Sequence, residues 1–311
     1  MLARVANYLF WLGRYVERTE HTARYLKVQY FSSLDDPLKN NKNKNLQSVL
    51  EMVGIPYMKD SLSEDYVLDN VALNMENTNS IISTMYCTMS NANNARDALS
   101  LELYEVISKF YYYVENYSAD YLKSSGLYDF TQSIIENTAI IRNFIDSTLL
   151  HDEAWASIRL GIHLERAVQV GRIVKAIENQ ILQVNPSDQS YNLYIDYYKD
   201  VLLRSLEAEV MYNKFYQGNT TEGSIYEFTI LNDLFPRSIY YNIRKSVDIC
   251  DTLFTSAVKD DPLKFRINKM ADEFKYTLYS DFKDNHMNFL KNTIFKLEFI
   301  TYTLEKDHLS L

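Results

Sequence analysis

Glycine and proline are scarce in this chain of 311 residues, at 7 and 5. Turn-rich β architectures need both, so the shortage excludes them and favours long helices. Cysteine is scarcer still, with only Cys87 and Cys250. That excludes a disulfide framework and suits a reduced, cytoplasmic setting. Neither cysteine has the Cys or His neighbours in sequence that a zinc site requires. No apolar run reaches the ~20 residues of a membrane span. The opening apolar run is broken by Arg4, Asn7 and Arg14, which does not suit a signal peptide. Positive charge is in deficit: the formal net charge is −9, which argues against nucleic acid as a partner. There is no glycine-rich phosphate loop, and the five histidines lack metal-site spacing. No metal and no cofactor is expected.

What is present is helical periodicity. Leu2, Val5, Leu9, Leu12, Val16, Ala23 and Leu26 form a heptad-like apolar stripe on a first helix. Residues 34–45 read as an exposed loop, and a short helix follows that stops at Gly54. Ser61 and Glu64 have capping-box spacing. Helices are then expected from 70 to 117 with a break near 99–101, and over 129–150 and 152–183. Asn185-Pro186-Ser187-Asp188 is a stop. Further helices are expected over 189–216, 224–232, 236–258 and 262–304. The fold class is therefore all-α: one domain over 1–311, a bundle of long antiparallel helices. Asp-Asp-Pro-Leu occurs at Asp35–Leu38 and at Asp260–Leu263, where Asp and Pro mark helix starts rather than a magnesium site. The Phe110–Tyr113 run reads as a helix wedged between neighbours with its hydroxyls at the rim. A lone Glu-x-x-His spacing, Glu305 to His308, falls short of a di-iron set.

One charged element occurs twice. Leu12–Arg24 is LGRYVERTEHTAR, and Leu160–Arg172 is LGIHLERAVQVGR. Both fit Leu-Gly-x-x-(Val/Leu)-Glu-Arg with a later arginine. Residues seven apart differ by only about 20° around a helix, so Glu17 shares a face with Arg24 and Glu165 with Arg172. Gly13 and Gly161 cost helix stability, which points to close approach by another helix or a ligand. The second copy is ringed by Ile158, Leu160, Ile162, Leu164, Val168, Val170 and Ile173, which predicts a central helix. Buried charges must be paired, and the first helix is the natural partner. In Leu234-Phe235-Pro236-Arg237-Ser238 the arginine sits at a helix start, where the dipole disfavours it unless an anion lies opposite.

These elements resemble the Alpha-E family, described as helical bacterial proteins with a Glu-Arg motif. LARVANYLFWLGRYVERTEHTAR carries the opening block, including Glu17, Arg18, Glu20 and Arg24. Asn91–Glu105 resembles the middle block through Asn91, Arg96, Asp97, Ser100 and Glu102. Ala154–Arg172 carries the second Glu-Arg block, and Phe235-Pro236-Arg237-Ser238 the last. The chain departs from the pattern at Met89 and Asn93, where arginine is expected. It departs again at Val168 and Val170, where an acidic residue and threonine are expected. The resemblance implies an accessory role beside an ATP-grasp-type ligase in making or modifying a peptide, with no established catalytic activity.

Arg14, Glu17, Arg18, Glu20, Arg24, Arg96, Asp97, Glu165, Arg166, Arg172 and Arg237 are the candidate site residues. As a binding site they would grip a peptide, or another carboxylate or phosphate ligand, in arginine forks. As a structural network they would fix helix register. As an enzyme's site, Glu17 and Glu165 would act on a peptide or amine. Neighbouring arginines would favour the ionised carboxylate over a proton donor.

Overall fold

The computed structural model describes residues 1–34, 42–56, 62–187, 189–221, 223–253 and 262–309. These residues are all-α, with no strand among them. The first half holds α1 (Ala3–Leu34), α2 (Lys42–Met52), α3 (Ile81–Asn94), α4 (Leu101–Glu115) and α5 (Leu127–Thr148). The second holds α6 (Glu153–Leu182), α7 (Tyr191–Ser205), α8 (Glu209–Tyr216), α9 (Ile239–Leu253), α10 (Pro262–Tyr276) and α11 (His286–Leu304).

Local chemistry sets several of these starts. The Ser80 hydroxyl accepts from Ser83 N, Ser100 from Leu103 N, and Asp152 from Ala154 N. Each satisfies an amide that a helix N-terminus leaves without a partner. Ser63, rather than Ser61, caps the helical turn Glu64–Leu68; Ser61 lies outside the described residues, as do Asp35–Leu38, Asp260 and Asp261. The expected loop over 34–45 is shorter than its polar composition suggested, because α2 already begins at Lys42. The helical stretch expected over 262–304 is interrupted between α10 and α11.

The two halves repeat one another. Asp69–Leu73 and Glu227–Leu231 are both π-helical turns, followed by Asn74 and Asn232 in extended conformation. Asn74 Oδ1 accepts from Glu76 N, and Asn232 Oδ1 from Leu234 N. The Ser80 hydroxyl donates to Asn74 O, and the Ser238 hydroxyl to Asn232 O. Helix α1 packs on α2, α3 and α5, as α6 packs on α7, α9 and α11. The crossover is reciprocal too: α1 touches α7, and α6 touches α2. One apolar core runs through both halves.

Helices α1 and α6 form the axis of this repeat, and they run parallel, not antiparallel. The Met1 amino group meets Glu153 at one end, and Gln29 Nε2 donates to Gln180 Oε1 at the other. Their closest approach is at the two glycines. A Cβ on Gly13 would lie 2.2 Å from Ile158 O, and one on Gly161 would lie 2.1 Å from Phe10 O. Contacts that short cannot exist, so each glycine lets the other helix's backbone in. The expected antiparallel arrangement does not describe this pair, because a repeated motif does not state the direction of its partner.

Gly13→Ala and Gly161→Ala should each lower stability by at least about 1–3 kcal/mol, the usual cost of overpacking, since backbone rather than a rotamer must move. Urea unfolding would measure it. Gly218 has nothing within 4 Å of such a Cβ, and at φ +84° its alanine variant should show backbone strain alone. Equal losses at all three positions would contradict the close approach.

Candidate functional site

The Glu-Arg elements meet along the α1–α6 seam and exchange partners. Arg166 of α6 forks onto Glu17 of α1, with Nε at 2.5 Å from Oε1 and Nη2 at 2.9 Å from Oε2. Arg18 of α1 forks onto Glu165 of α6, with Nε at 2.7 Å and Nη2 at 3.1 Å. Each glutamate also accepts from the residue one turn on in its own helix. His21 Nε2 lies 3.1 Å from Glu17, and Gln169 Nε2 donates to Glu165 at 2.6 Å.

A second arginine completes each cage, and here the halves differ. Arg14 of α1 donates to Glu165 through Nε at 2.6 Å and also bonds Thr301 of α11. Its counterpart on α6 is Ile162. Glu17 is served instead by Arg142 of α5, whose Nη1 is 3.4 Å from Glu17 and 2.5 Å from Glu20. Glu20 further accepts from Arg24 and from Arg237, the latter at 2.9 Å. Both arginines also bind Glu207. Arg237 thus finds the anion that its place at a helix start called for.

Glu207 has φ +51°, in the left-handed region. Its counterpart past α2 is Gly54, at φ +84°. The turns match: Gly54 N donates to Glu51 O and Ile55 N to Leu50 O, as Glu207 N does to Arg204 O and Ala208 N to Leu203 O. A non-glycine residue there costs roughly 1–2 kcal/mol, and the return is a carboxylate placed between Arg24 and Arg237.

Three candidates lie outside this network. Arg96 lies over the Tyr104 ring, 4.2 Å from its centroid, and Asp97 is exposed on the same turn. Their block forms the α3–α4 corner, where Asn91 bonds its own helix and Ser100 caps the next. Arg172 meets Glu298 of α11 at 2.9 Å rather than Glu165. Likewise Arg24 reaches Glu20, one turn away, and not Glu17. The i+4 spacing is the closer neighbour. Arg142, Gln169, Asn79, Thr301 and Glu207 belong to the network but were not among the sequence candidates. Gln169 could have been found, since it stands to Glu165 as His21 stands to Glu17. Glu207 carries no motif.

Glu17, Glu20 and Glu165 are fully buried, whereas Arg18, Arg142, Arg166 and Arg237 retain 11–16 % exposure. The carboxylates are therefore inside, and these four arginine side chains keep a small share of exposure. Burial by itself pushes Glu17 up, but Arg166, the His21 hydrogen bond and Arg142 outweigh it and hold it well below the usual range. The same balance holds for Glu20 through Arg237 and Arg142, and for Glu165 through Arg14 and Arg18. Burial pushes His21 down and keeps it neutral against the opposing Glu17 bond. His163, bonded to Asn242 at 2.8 Å, is pushed down to about 3 by burial and by Arg166 and Arg159.

Glu17, Glu20 and His21 bring ligand atoms within 4.8 Å of one another, close enough for a metal triad. The arginines already occupy those oxygens, however, and a dication would sit against Arg142, Arg166 and Arg237. The donor set fits guanidinium, not metal. Six guanidiniums (Arg14, Arg18, Arg24, Arg142, Arg166, Arg237) face four carboxylates (Glu17, Glu20, Glu165, Glu207), which leaves the network two positive charges in surplus. Arg24 Nε and Arg237 Nη1 are buried without an acceptor.

A family model for Alpha-E, described as a predicted alpha-helical domain with a conserved ER motif, matches residues 1–309, so the chain belongs to that family. No curated protein and no solved structure matches it. No helix of the described residues is long and apolar enough to cross a membrane.

The depressed groups fix the pH dependence. A histidine held neutral to about 3 leaves the unfolded chain binding more protons below its ordinary 6.5, so stability begins to fall there. The carboxylates add a steeper fall as pH drops below their ordinary 4.5. Urea unfolding should show both losses, and Glu165→Gln should flatten the second while costing about 3–5 kcal/mol at pH 7. A wild-type stability unchanged between pH 7 and 3 would contradict the assignment.

Proposed function

We propose that this Alpha-E chain is a non-catalytic, substrate-holding partner of an ATP-grasp-type ligase that makes or modifies a peptide in a bacterial cytoplasm. The family resemblance supplies the ligase. The observation that carries the non-catalytic reading is the commitment of Glu17 and Glu165. Both are fully buried, and every one of their oxygens accepts from an arginine. A general acid must hold a proton near neutral pH and a general base must offer a free lone pair. These carboxylates, held ionised and fully engaged, offer neither, which disfavours the stand-alone enzyme.

The network instead serves as a rigid mount for arginines. Its carboxylates fix arginines that keep some exposure, and its surplus of positive charge favours an anionic group on the substrate, such as a peptide carboxylate or a phosphorylated intermediate. Cys87 and Cys250 are thiols outside any disulfide, which suits the reducing compartment in which such a ligase would work.

Purified chain mixed with the ligase encoded beside it should raise the rate of ATP-dependent product formation, and the isolated chain should turn over nothing. A ligase running equally fast with and without the chain, with no complex on co-purification, would overturn the partnership. Turnover by the isolated chain would overturn the non-catalytic reading.

A further inference from the structure

The internal repeat allows each polar position of one half to be compared with its counterpart in the other. Around Glu20, one side of the α1–α6 seam brings together Arg24 of α1, Arg237 and Glu207 from the second half and, one turn further along α1, Lys27. The counterparts on the other side of the seam are Val168 for Glu20, Arg172 for Arg24, Asn79 for Arg237, Gly54 for Glu207 and Lys175 for Lys27. The cations of α1 are kept on α6, and both carboxylates are gone.

The matching region on the other side of the seam is not filled. Gly54, Asn79, Arg172, Lys175, Asn179 and Glu51 line a cavity of about 210 Å³. Asn79 forms its inner wall and is tied to the buried network, since its Oδ1 accepts from Arg18 at 3.1 Å and its Nδ2 donates to Val53 O. Lys175 forms no ion pair among the described residues. Arg172 spends one nitrogen on Glu298, a half-exposed residue of α11, and is itself 31 % exposed. Val168, where the family pattern expects an acid, is buried and apolar. The cavity thus presents two cations and two amides against one carboxylate, Glu51, around a place where the equivalent turn on the other side of the seam puts Glu207.

We propose that this cavity binds a carboxylate-bearing ligand, seated where Gly54 leaves the room that Glu207 takes on the other side of the seam. Arg172 and Lys175 would hold the ligand's carboxylate as Arg24 and Arg237 hold Glu207. The volume is below the ~300–1,000 Å³ of drug-sized pockets, so it suits a small dicarboxylate or an acidic side chain presented by a peptide. The cavity adjoins the Glu165 cage through Asn79, which accepts from Arg18, and a ligand there requires no ligase.

Calorimetric titration of the full chain with glutarate tests this, with glutaramide as the uncharged analogue and sulfate as an unrelated dianion. Glutarate should bind one per chain with a dissociation constant of about 1 mM or tighter, and glutaramide should not bind. Lys175→Gln, a change at a partly exposed side chain, should weaken glutarate about ten-fold or more, the loss expected for one charge-assisted hydrogen bond. Gly54→Glu copies the residue that the equivalent turn after α7 carries, and should abolish binding by supplying the carboxylate internally. No saturable heat with glutarate, equal affinity in Lys175→Gln, or sulfate binding as tightly as glutarate would each overturn the proposal. If Gly54→Glu does not fold, Lys175→Gln and the ligand series still decide it.

Discussion

Two parallel helices in backbone contact, each carrying a buried glutamate that is forked by the other's arginine, are the constraint from which the rest follows. Burying a carboxylate without a partner is prohibitive. Neither α1 nor α6 can therefore be buried alone, because Glu17 depends on Arg166 and Glu165 on Arg18. The glycines bring the helices close enough for the forks to reach across. The forks in turn set the register, since a slip of one turn would leave two carboxylates unpaired. Such pairs often contribute little net stability over apolar packing, but removing one partner is costly. Their role here is specification of which helix meets which, and in which direction.

Symmetry between the halves makes their differences informative. Arg14 and Thr301 complete one cage, and Arg142 completes the other. One side of the seam has Glu20 and the strained Glu207 and is closed by ion pairs. The other has Val168 and Gly54 at those places and stays open. A left-handed glutamate is expensive where glycine is free, so the same turn carries a charge on one side only.

Much of this was legible in the sequence, and the missing part has physical causes. The repeated Leu-Gly-x-x-(Val/Leu)-Glu-Arg predicted that α1 and α6 lie together, because charges on an apolar helix need each other. Gly13 and Gly161 announced close contact. The motif could not give helix direction, since parallel and antiparallel partners want the same residues. The seven-residue spacing puts Arg24 on the face of Glu17 and Arg172 on that of Glu165 but does not say which charges pair: Arg24 takes the nearer Glu20, and Arg172 takes Glu298 of α11. Arg142 and Glu207 were invisible because each comes from an element with no repeat of its polar residue, and only the packing of α5 and the turn after α7 carries them in. Arg96 and Asp97 matched a family block that turns out to build a corner.

The most direct measurement of this account is a double-mutant cycle in urea between Glu17→Gln and Arg166→Gln. The account predicts strong coupling, with the double variant more stable than the summed single losses imply by about 2 kcal/mol or more, toward the upper end of the range for contacting residues. Losses that add to within about 0.5 kcal/mol, as for independent sites, would show that the two helices are held by apolar packing alone.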